Sequence, residues 1–260
     1  CVIDFYYGDY ENQILKRKVV TQRERVSFPM YGNAHLLPSG VVPNSVLRMI
    51  FSRGRVRIHG ISGNIHPPAP ESMPPVMMSY GTSISEACVA TRSILGWNMI
   101  AAHQLGHDCI NLGSSGSAFC EPAIANHIAA QSWNVCVLEI STNMLEKFSV
   151  EEFRERATYL VNTVAASHPD KPVVCISLLP TRADTWDKHP AALKQKAFRE
   201  ALRDLCAASP NKNVHFVNGP DLIAYTGMSQ DILHPSDYGM IEIAWNLVPR
   251  MRDLLKPAGQ

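Results

Sequence analysis

The chain carries almost no net charge, with 24 Lys and Arg against 23 Asp and Glu, a formal balance of +1 over 260 residues. Without a field of one sign, nothing draws in nucleic acid or an anionic membrane surface at long range. The basic clusters at Lys16 to Lys18 and Arg53 to Arg57 are short, and solvated strand ends account for them. No nucleic-acid partner is expected. Long apolar runs are missing too: nothing approaches the roughly 18 consecutive apolar residues of a membrane helix, so no membrane span is expected. The opening segment, with Asp4, Asp9 and Glu11, has no apolar stretch of the signal-peptide kind. A cytoplasmic location is the expectation, and the start on Cys1 without Met suggests a trimmed chain.

Paired cysteines are also lacking. The seven cysteines, at positions 1, 88, 109, 120, 136, 175 and 206, are odd in number and form no Cys-x-x-Cys pair. Several sit in apolar stretches such as Val135-Cys136-Val137, which suits reduced, buried thiols in a reducing compartment. His103 and His107 have the i, i+4 spacing of helical zinc ligands, but Gln104 stands where a metalloprotease needs its Glu base. Gly106 and His107 read instead as the punctuation of a helix end. Gly113-Ser114-Ser115-Gly116-Ser117 lacks both the Gly-x-Ser-x-Gly spacing of a nucleophile elbow and the Gly-Lys ending of a phosphate loop. Cys88 and Cys120 have no adjacent His and read as core thiols. Neither metal nor cofactor is expected.

What is present is enough apolar material for a full core, 46% hydrophobic against 18% charged, sufficient for one large domain and a smaller one. Residues 1–66 hold short alternating or apolar runs (Val2 to Tyr7, Val26 to Met30, Ser45 to Phe51, Arg55 to Ile61), and predict a small antiparallel β domain. So few residues make either a partial sandwich or one completed against the rest of the chain. Residues 67–75, Pro67-Pro68-Ala69-Pro70-Glu71-Ser72-Met73-Pro74-Pro75, predict a stiff, extended linker. Over residues 76–260, near-continuous apolar runs at Val76 to Ser79, Cys109 to Leu112, Val135 to Ile140, Val173 to Leu179 and Val214 to Val217 alternate with helical segments. Such runs predict parallel strands covered on both faces, hence a doubly wound α/β sheet of about five strands. Ser149 to Glu152 forms a capping box ahead of a stripe of Phe153, Ala157, Leu160, Val161 and Val164. A helix over Ala191 to Ala208 is expected to bury Leu193, Ala197, Leu202 and Leu205, and Asp237 to cap a last helix that breaks or kinks near Pro249.

On this frame a set of polar residues gathers at one edge, because ligands of open parallel sheets bind beyond the carboxyl ends of the strands. Ser83 follows the first strand, Gly116 the second and Asn143 the third, while Asp231 and His234 precede the last helix. A serine hydroxyl needs a base to take its proton and the base needs a carboxylate to orient it; Asp231 and His234, three apart on one loop, form such a pair. Gly116 offers an unshielded backbone N–H, and Asn143 a carboxamide, to the oxyanion of a tetrahedral intermediate. The loop Pro180 to Trp186 leaves the same edge and is expected to wall the pocket.

This order, with Tyr80-Gly81-Thr82-Ser83-Ile84-Ser85, Asn111 to Gly116, Val137 to Asn143 and Asp231-Ile232-Leu233-His234-Pro235, resembles the SGNH hydrolases, the GDSL family of esterases and acyltransferases, over about residues 76–256. The resemblance implies Ser83 as nucleophile, Asp231 and His234 as its triad partners, and an oxyanion hole of the Ser83 and Gly116 N–H groups and the Asn143 side chain. Thr82 stands where the family usually has Asp, Ser141-Thr142 where it has Gly-Gly, and Met144 where an Asp commonly follows. These departures change the pocket floor, for which Thr82, Arg182 and Trp186 are the candidate lining residues. The Tyr-Gly-Thr-Ser-Ile-Ser form is similar to a two-domain subgroup with an N-terminal β-sandwich, and Asp4-Phe5-Tyr6 to a short motif within it. The expected activity is hydrolysis of a small acyl ester, such as an acetylated sugar, through an acyl-enzyme. The alternatives are acyl transfer to an alcohol acceptor and a non-catalytic carbohydrate-binding role. No feature of the sequence specifies an oligomeric state.

Overall fold

The computed structural model describes residues 2–11, 17–19, 37–52, 57–186 and 188–256. The chain divides into two compact units, Cys1–Pro75 and Val76–Gln260. In the first, strand β1 (Val2–Tyr7) pairs antiparallel with β2 (Tyr10–Glu11), β3 (Arg17–Val19) and β4 (Leu47–Ser52). The Val41 and Val42 N–H groups donate to the Asp9 carboxylate, which fastens the incoming loop to the β1–β2 turn. The strand expected at Val26 to Met30 lies outside the described residues, as do positions 55 and 56. Residues 57–61 are exposed and irregular rather than the expected strand, with Ile58 and Ile61 more than half exposed. Residues 67–75 are largely extended, but Pro70–Ser72 closes one 3-10 turn through the Ser72 N–H and the Ala69 carbonyl.

The second unit is a doubly wound sheet of five parallel strands: β5 (Val76–Gly81), β6 (Asp108–Gly113), β7 (Val135–Glu139), β8 (Val173–Ile176) and β9 (Val214–Val217). Their spatial order, β6-β5-β7-β8-β9, reverses direction between β5 and β7 and opens the crevice where such sheets take ligands. The middle strands follow the expectation of double burial: every residue of β7 and β8 is buried. The edge strands depart from it. Ile110 on β6 is 40% exposed, since an edge strand has one flank without a neighbour.

Side-chain alternation along β7 divides the core in two. Cys136 and Leu138 join Ile128, Phe153, Leu160 and Phe198, from helices α3 (Pro122–Ala129), α4 (Val150–Ser167) and α5 (Pro190–Ala207). Val135 and Val137 join Ile84, Trp97, Ala101 and Ile243 on the other face, from α1 (Ser83–Glu86), α2 (Trp97–Gln104) and α6 (Asp237–Leu254). The Ser149 capping box is formed, with its hydroxyl accepting from the Glu152 N–H and Glu152 accepting from the Ser149 N–H. The buried residues of α5 are Gln195, Phe198, Ala201, Leu202, Leu205 and Cys206; of those expected in its stripe, Leu193 in the first turn is 56% exposed and Ala197 is only partly buried. Helix α6 is capped by Ser236 rather than Asp237, whose carboxylate instead accepts from the Thr91 N–H and hydroxyl. It runs through Pro249 instead of ending there. Pro249 and Trp245 lie on the exposed face, where water can satisfy the carbonyl that proline leaves unbonded. His103 and His107 bracket the end of α2, where Gly106 takes φ +72° and the His107 Nδ1 faces the Leu105 carbonyl.

Candidate active site

Strand β5 ends at Gly81, and Thr82 caps the short helix α1 with its hydroxyl accepting from the Ile84 N–H. This turn lifts Ser83 to the carboxyl edge of the sheet, where it is 7% exposed. The candidate base, His234, arrives on the loop before α6. Its neck is closed by the Ser229 N–H bonded to the His234 carbonyl and by the Met228 to Pro235 bridge. Within the loop, Asp231 Oδ1 accepts from the Leu233 N–H, the His234 N–H and the Ser229 hydroxyl, so the carboxylate folds its own loop.

Asp231 Oδ2 lies 2.7 Å from His234 Nδ1, and His234 Nε2 lies 2.8 Å from Ser83 Oγ. A carboxylate only accepts, so Nδ1 carries the ring proton and Nε2 presents its lone pair to the serine hydroxyl. Partial burial would raise the Asp231 carboxyl, but the bonds from His234, Ser229 and Leu233 outweigh it and hold the group well below the usual carboxylate range. Asp231 therefore stays ionised to well below the usual carboxylate range.

The donors expected at the oxyanion are each left open by their neighbours. The Thr82 N–H goes to Glu139 and the Ile84 N–H to Thr82, while the Ser83 N–H between them has no partner among the described residues. Gly116 takes φ +68°, a conformation costly for other residues, and its N–H is likewise unengaged there. Asn143 Oδ1 accepts from the Ala118 N–H at 3.2 Å, and its NH2 has no acceptor among the described residues. Ser141, just before, takes φ +131°, the strain of placing a side chain where backbone of this shape favours glycine. The loops are cross-linked: the Ser114 N–H donates to the Gly81 carbonyl, and the Ser115 N–H to Glu86 Oε2 at 2.7 Å. Donors held by such cross-links would lose nothing to reorientation as charge develops.

Thr82 does not line the pocket as expected. It is fully buried, and its hydroxyl donates to Glu139 Oε2 at 2.7 Å. Arg182 and Trp186 are exposed on the loop after β8, which the Arg182 N–H joins to the Ile232 carbonyl of the His234 loop. Arg199 fixes that loop from behind, donating to both Asp184 carboxylate oxygens and to the Leu178 and Leu179 carbonyls. Cys120 is buried, and burial pushes its thiol far up, out of nucleophilic range.

The residue that sequence reasoning passed over is Glu139. It is 1% exposed, and burial pushes its carboxyl up to about 7 against the pull of hydrogen bonds from Thr82 and Ser85. A carboxylate at the end of an otherwise apolar strand was the available signal, since such a group must find donors nearby. No cluster of three potential metal ligands occurs among the described residues, and no helix among them is long and apolar enough to cross a membrane.

On the carboxyl edge of this doubly wound sheet Ser, His and Asp stand at hydrogen-bond distance, the arrangement that serine-dependent acyl transfer requires. The sequence over residues 75–252 matches the model of the GDSL-like lipase/acylhydrolase family, and the chain belongs to that family. No curated protein matches it. Among solved structures it is similar to a putative GDSL-like lipase from Bacteroides ovatus (23% identity, TM-score 0.61, covering 70% of this chain and 53% of that one). A salicylyl-acyltransferase from a tetracycline biosynthetic pathway shares 22% identity at TM-score 0.58, covering 70% and 55%. A carbohydrate esterase family 3 protein from Talaromyces cellulolyticus shares 16% at TM-score 0.56, covering 70% and 98%. The match thus spans about half the length of the first two.

Proposed function

We propose that the chain is a serine-dependent hydrolase of small acyl esters, working through an acyl-enzyme, with an acetylated sugar as the substrate class. The observation that carries this is the chain of contacts from Ser83 Oγ to His234 Nε2 at 2.8 Å and from His234 Nδ1 to Asp231 Oδ2 at 2.7 Å. In the first half-reaction Ser83 Oγ bonds to the acyl carbon and its proton passes to His234 Nε2. The carbonyl oxygen becomes an oxyanion held by the Ser83 and Gly116 N–H groups and the Asn143 NH2. As the bond to the alcohol oxygen breaks, that oxygen takes the proton from Nε2 and the alcohol leaves. Water then attacks the acyl-serine with His234 again as base, and the acid departs with Ser83 restored. The half-exposed Trp186 and Tyr225, which lie on loops bonded to the base loop and to the Thr181 carbonyl, are suited to an apolar sugar face. Carbohydrate esterases among the proteins of like fold support the same choice.

The test is a panel of acetyl and longer acyl esters, assayed with water alone and with sugar acceptors, on wild type and Ser83→Ala, together with fluorophosphonate labelling. Wild type is expected to release acid and to be labelled on Ser83, and Ser83→Ala to do neither. Equal turnover by a folded Ser83→Ala protein sinks the reading. Ester products appearing only with an added alcohol would identify an acyltransferase instead.

A further inference from the structure

The nucleophile turn is held by a carboxyl that is itself no part of the triad. We infer that Glu139 is a positioning residue, setting the turn that presents Ser83 from the strand whose exit delivers Asn143. This rests on the hydrolase reading above and extends it to a group that the acyl-transfer steps do not use.

Three donors converge on one oxygen. Glu139 Oε2 accepts from the Thr82 N–H at 2.9 Å, the Thr82 hydroxyl at 2.7 Å and the Ser85 hydroxyl at 3.0 Å. These residues flank Ser83 on both sides, so the bonds fix the backbone before it and the helical turn after it. Thr82 relays the constraint, because the hydroxyl that donates to Glu139 also accepts from the Ile84 N–H. Consuming the Thr82 and Ile84 N–H groups in this way leaves the Ser83 N–H between them available to the oxyanion.

The placement is dictated by the strand. Glu139 shares the face of Val135 and Val137 by period-two alternation, the face covered by α1. Parallel register sets it beside Gly81. A Cβ on Gly81 would stand 2.3 Å from Ser85 Oγ, 2.6 Å from the Glu139 carbonyl and 2.7 Å from Glu139 Oε2, so the carboxyl reaches the turn only because that residue is glycine. Glu139 Oε1 has no partner among the described residues, and only its sister oxygen is engaged with the turn. Four residues later the same chain places Asn143, so one strand end locates the turn of the nucleophile and a side-chain donor to its oxyanion.

The experiment compares wild type, Ser83→Ala, Glu139→Leu, Glu139→Gln, Thr82→Val and the double variant of Thr82→Val with Glu139→Leu by kcat and KM on 4-nitrophenyl acetate, rate of fluorophosphonate labelling, and thermal melts. Glu139→Leu is expected to lower kcat about 10²-fold with KM changed less than about threefold, and to slow labelling in parallel, because misplacing the nucleophile acts on the reacting step. Glu139→Gln keeps an oxygen that can accept from all three donors and should recover to within about tenfold of wild type. Thr82→Val should cost about tenfold alone and little more when added to Glu139→Leu, the signature of a shared unit. Should Glu139→Leu not fold, Glu139→Gln and Thr82→Val decide. The inference is overturned if folded Glu139→Leu or Thr82→Val keeps kcat within about twofold, if Glu139→Gln is as impaired as Glu139→Leu, or if the losses appear in KM alone. A wild type that neither turns over the ester nor labels beyond Ser83→Ala overturns the hydrolase reading, and this inference with it.

Discussion

The two halves of the site are built in opposite ways. The nucleophile turn is buried, with Thr82 and Ser85 fully enclosed and tied to a carboxyl reaching in from the neighbouring strand. The base loop is open, with the Asp231 side chain 44% exposed, and it is tied to a carboxylate within itself. Each carboxyl oxygen that organises backbone takes three donors, yet the carboxyls are driven in opposite directions. Desolvation wins at Glu139 and raises it to about 7. Hydrogen bonds win at Asp231, where solvent reaches the group, and lower it. A buried carboxyl is thus suited to holding a fixed shape, while a wetted one keeps the charge that an imidazolium needs opposite it.

The largest effects should come where the halves meet, across the Ser83 to His234 contact. Ser83→Ala and His234→Ala are each expected to lower kcat by about three or more orders of magnitude, with the double mutant little worse than either, since the two act as one unit. Steady-state kinetics on a short acyl ester checks this, and additive losses would separate the halves into independent contributors. Asn143→Ala should cost about 10²–10³ in kcat, some 2.7–4 kcal/mol, with little change in KM, because its NH2 acts on charge that develops after binding. A melt run beside the kinetics distinguishes this from a turn-closing role, in which stability falls and activity per folded molecule stays.

How much of this the sequence disclosed follows the same division. The contacts of Ser83 with His234 and of His234 with Asp231 could be anticipated because Ser83 follows a strand and the other two precede a helix, and periodicity locates those points. Asp231 and His234 are also close in sequence, so their pairing is local. The Thr82 to Glu139 bonds join residues 57 apart, and no periodicity reports a contact of that kind. Thr82 therefore looked like pocket lining when it faces inward. The exposed edge strand β6 was missed for a related reason: composition shows that a run is apolar, but not which flank of the sheet it occupies.

The opposite shifts predict opposite pH responses of stability. Glu139 has its folded value raised from 4.5 to about 7, so it favours the folded state below 4.5, and that advantage is lost as pH rises through 7. The difference corresponds to roughly 3 kcal/mol. Asp231 is lowered, so its contribution is present above the ordinary 3.8 and lost only as pH falls below it. Between pH 4.5 and 8 the melting temperature of Glu139→Gln should therefore gain on wild type, by about 5–10 °C for a chain of this size, while Asp231→Asn should show no such drift. Thermal melts across that range measure both, and parallel curves for wild type and Glu139→Gln would show that the buried carboxyl titrates as if solvated.

The smallest effect is the sharpest test of the contrast, because it compares one hydroxyl on each side. Ser85 donates to Glu139 and Ser229 to Asp231, at 3.0 and 2.8 Å. Removing the Ser229 hydroxyl leaves the Leu233 and His234 N–H groups on Asp231 Oδ1, and water can reach the oxygen it vacates. Ser229→Ala should therefore cost at most about 0.5–1.5 kcal/mol and a few-fold in kcat. The Ser85 hydroxyl has no such substitute, since the residue is fully buried. Ser85→Ala should cost about 1–3 kcal/mol, the range for a buried acceptor losing a partner, with the larger share appearing above pH 7, where Glu139 is ionised. Urea midpoints at pH 6 and pH 8 measure the pair. Equal costs at both sites and both pH values would mean that burial does not set the strength of these bonds, and the distinction drawn between the two halves would fall.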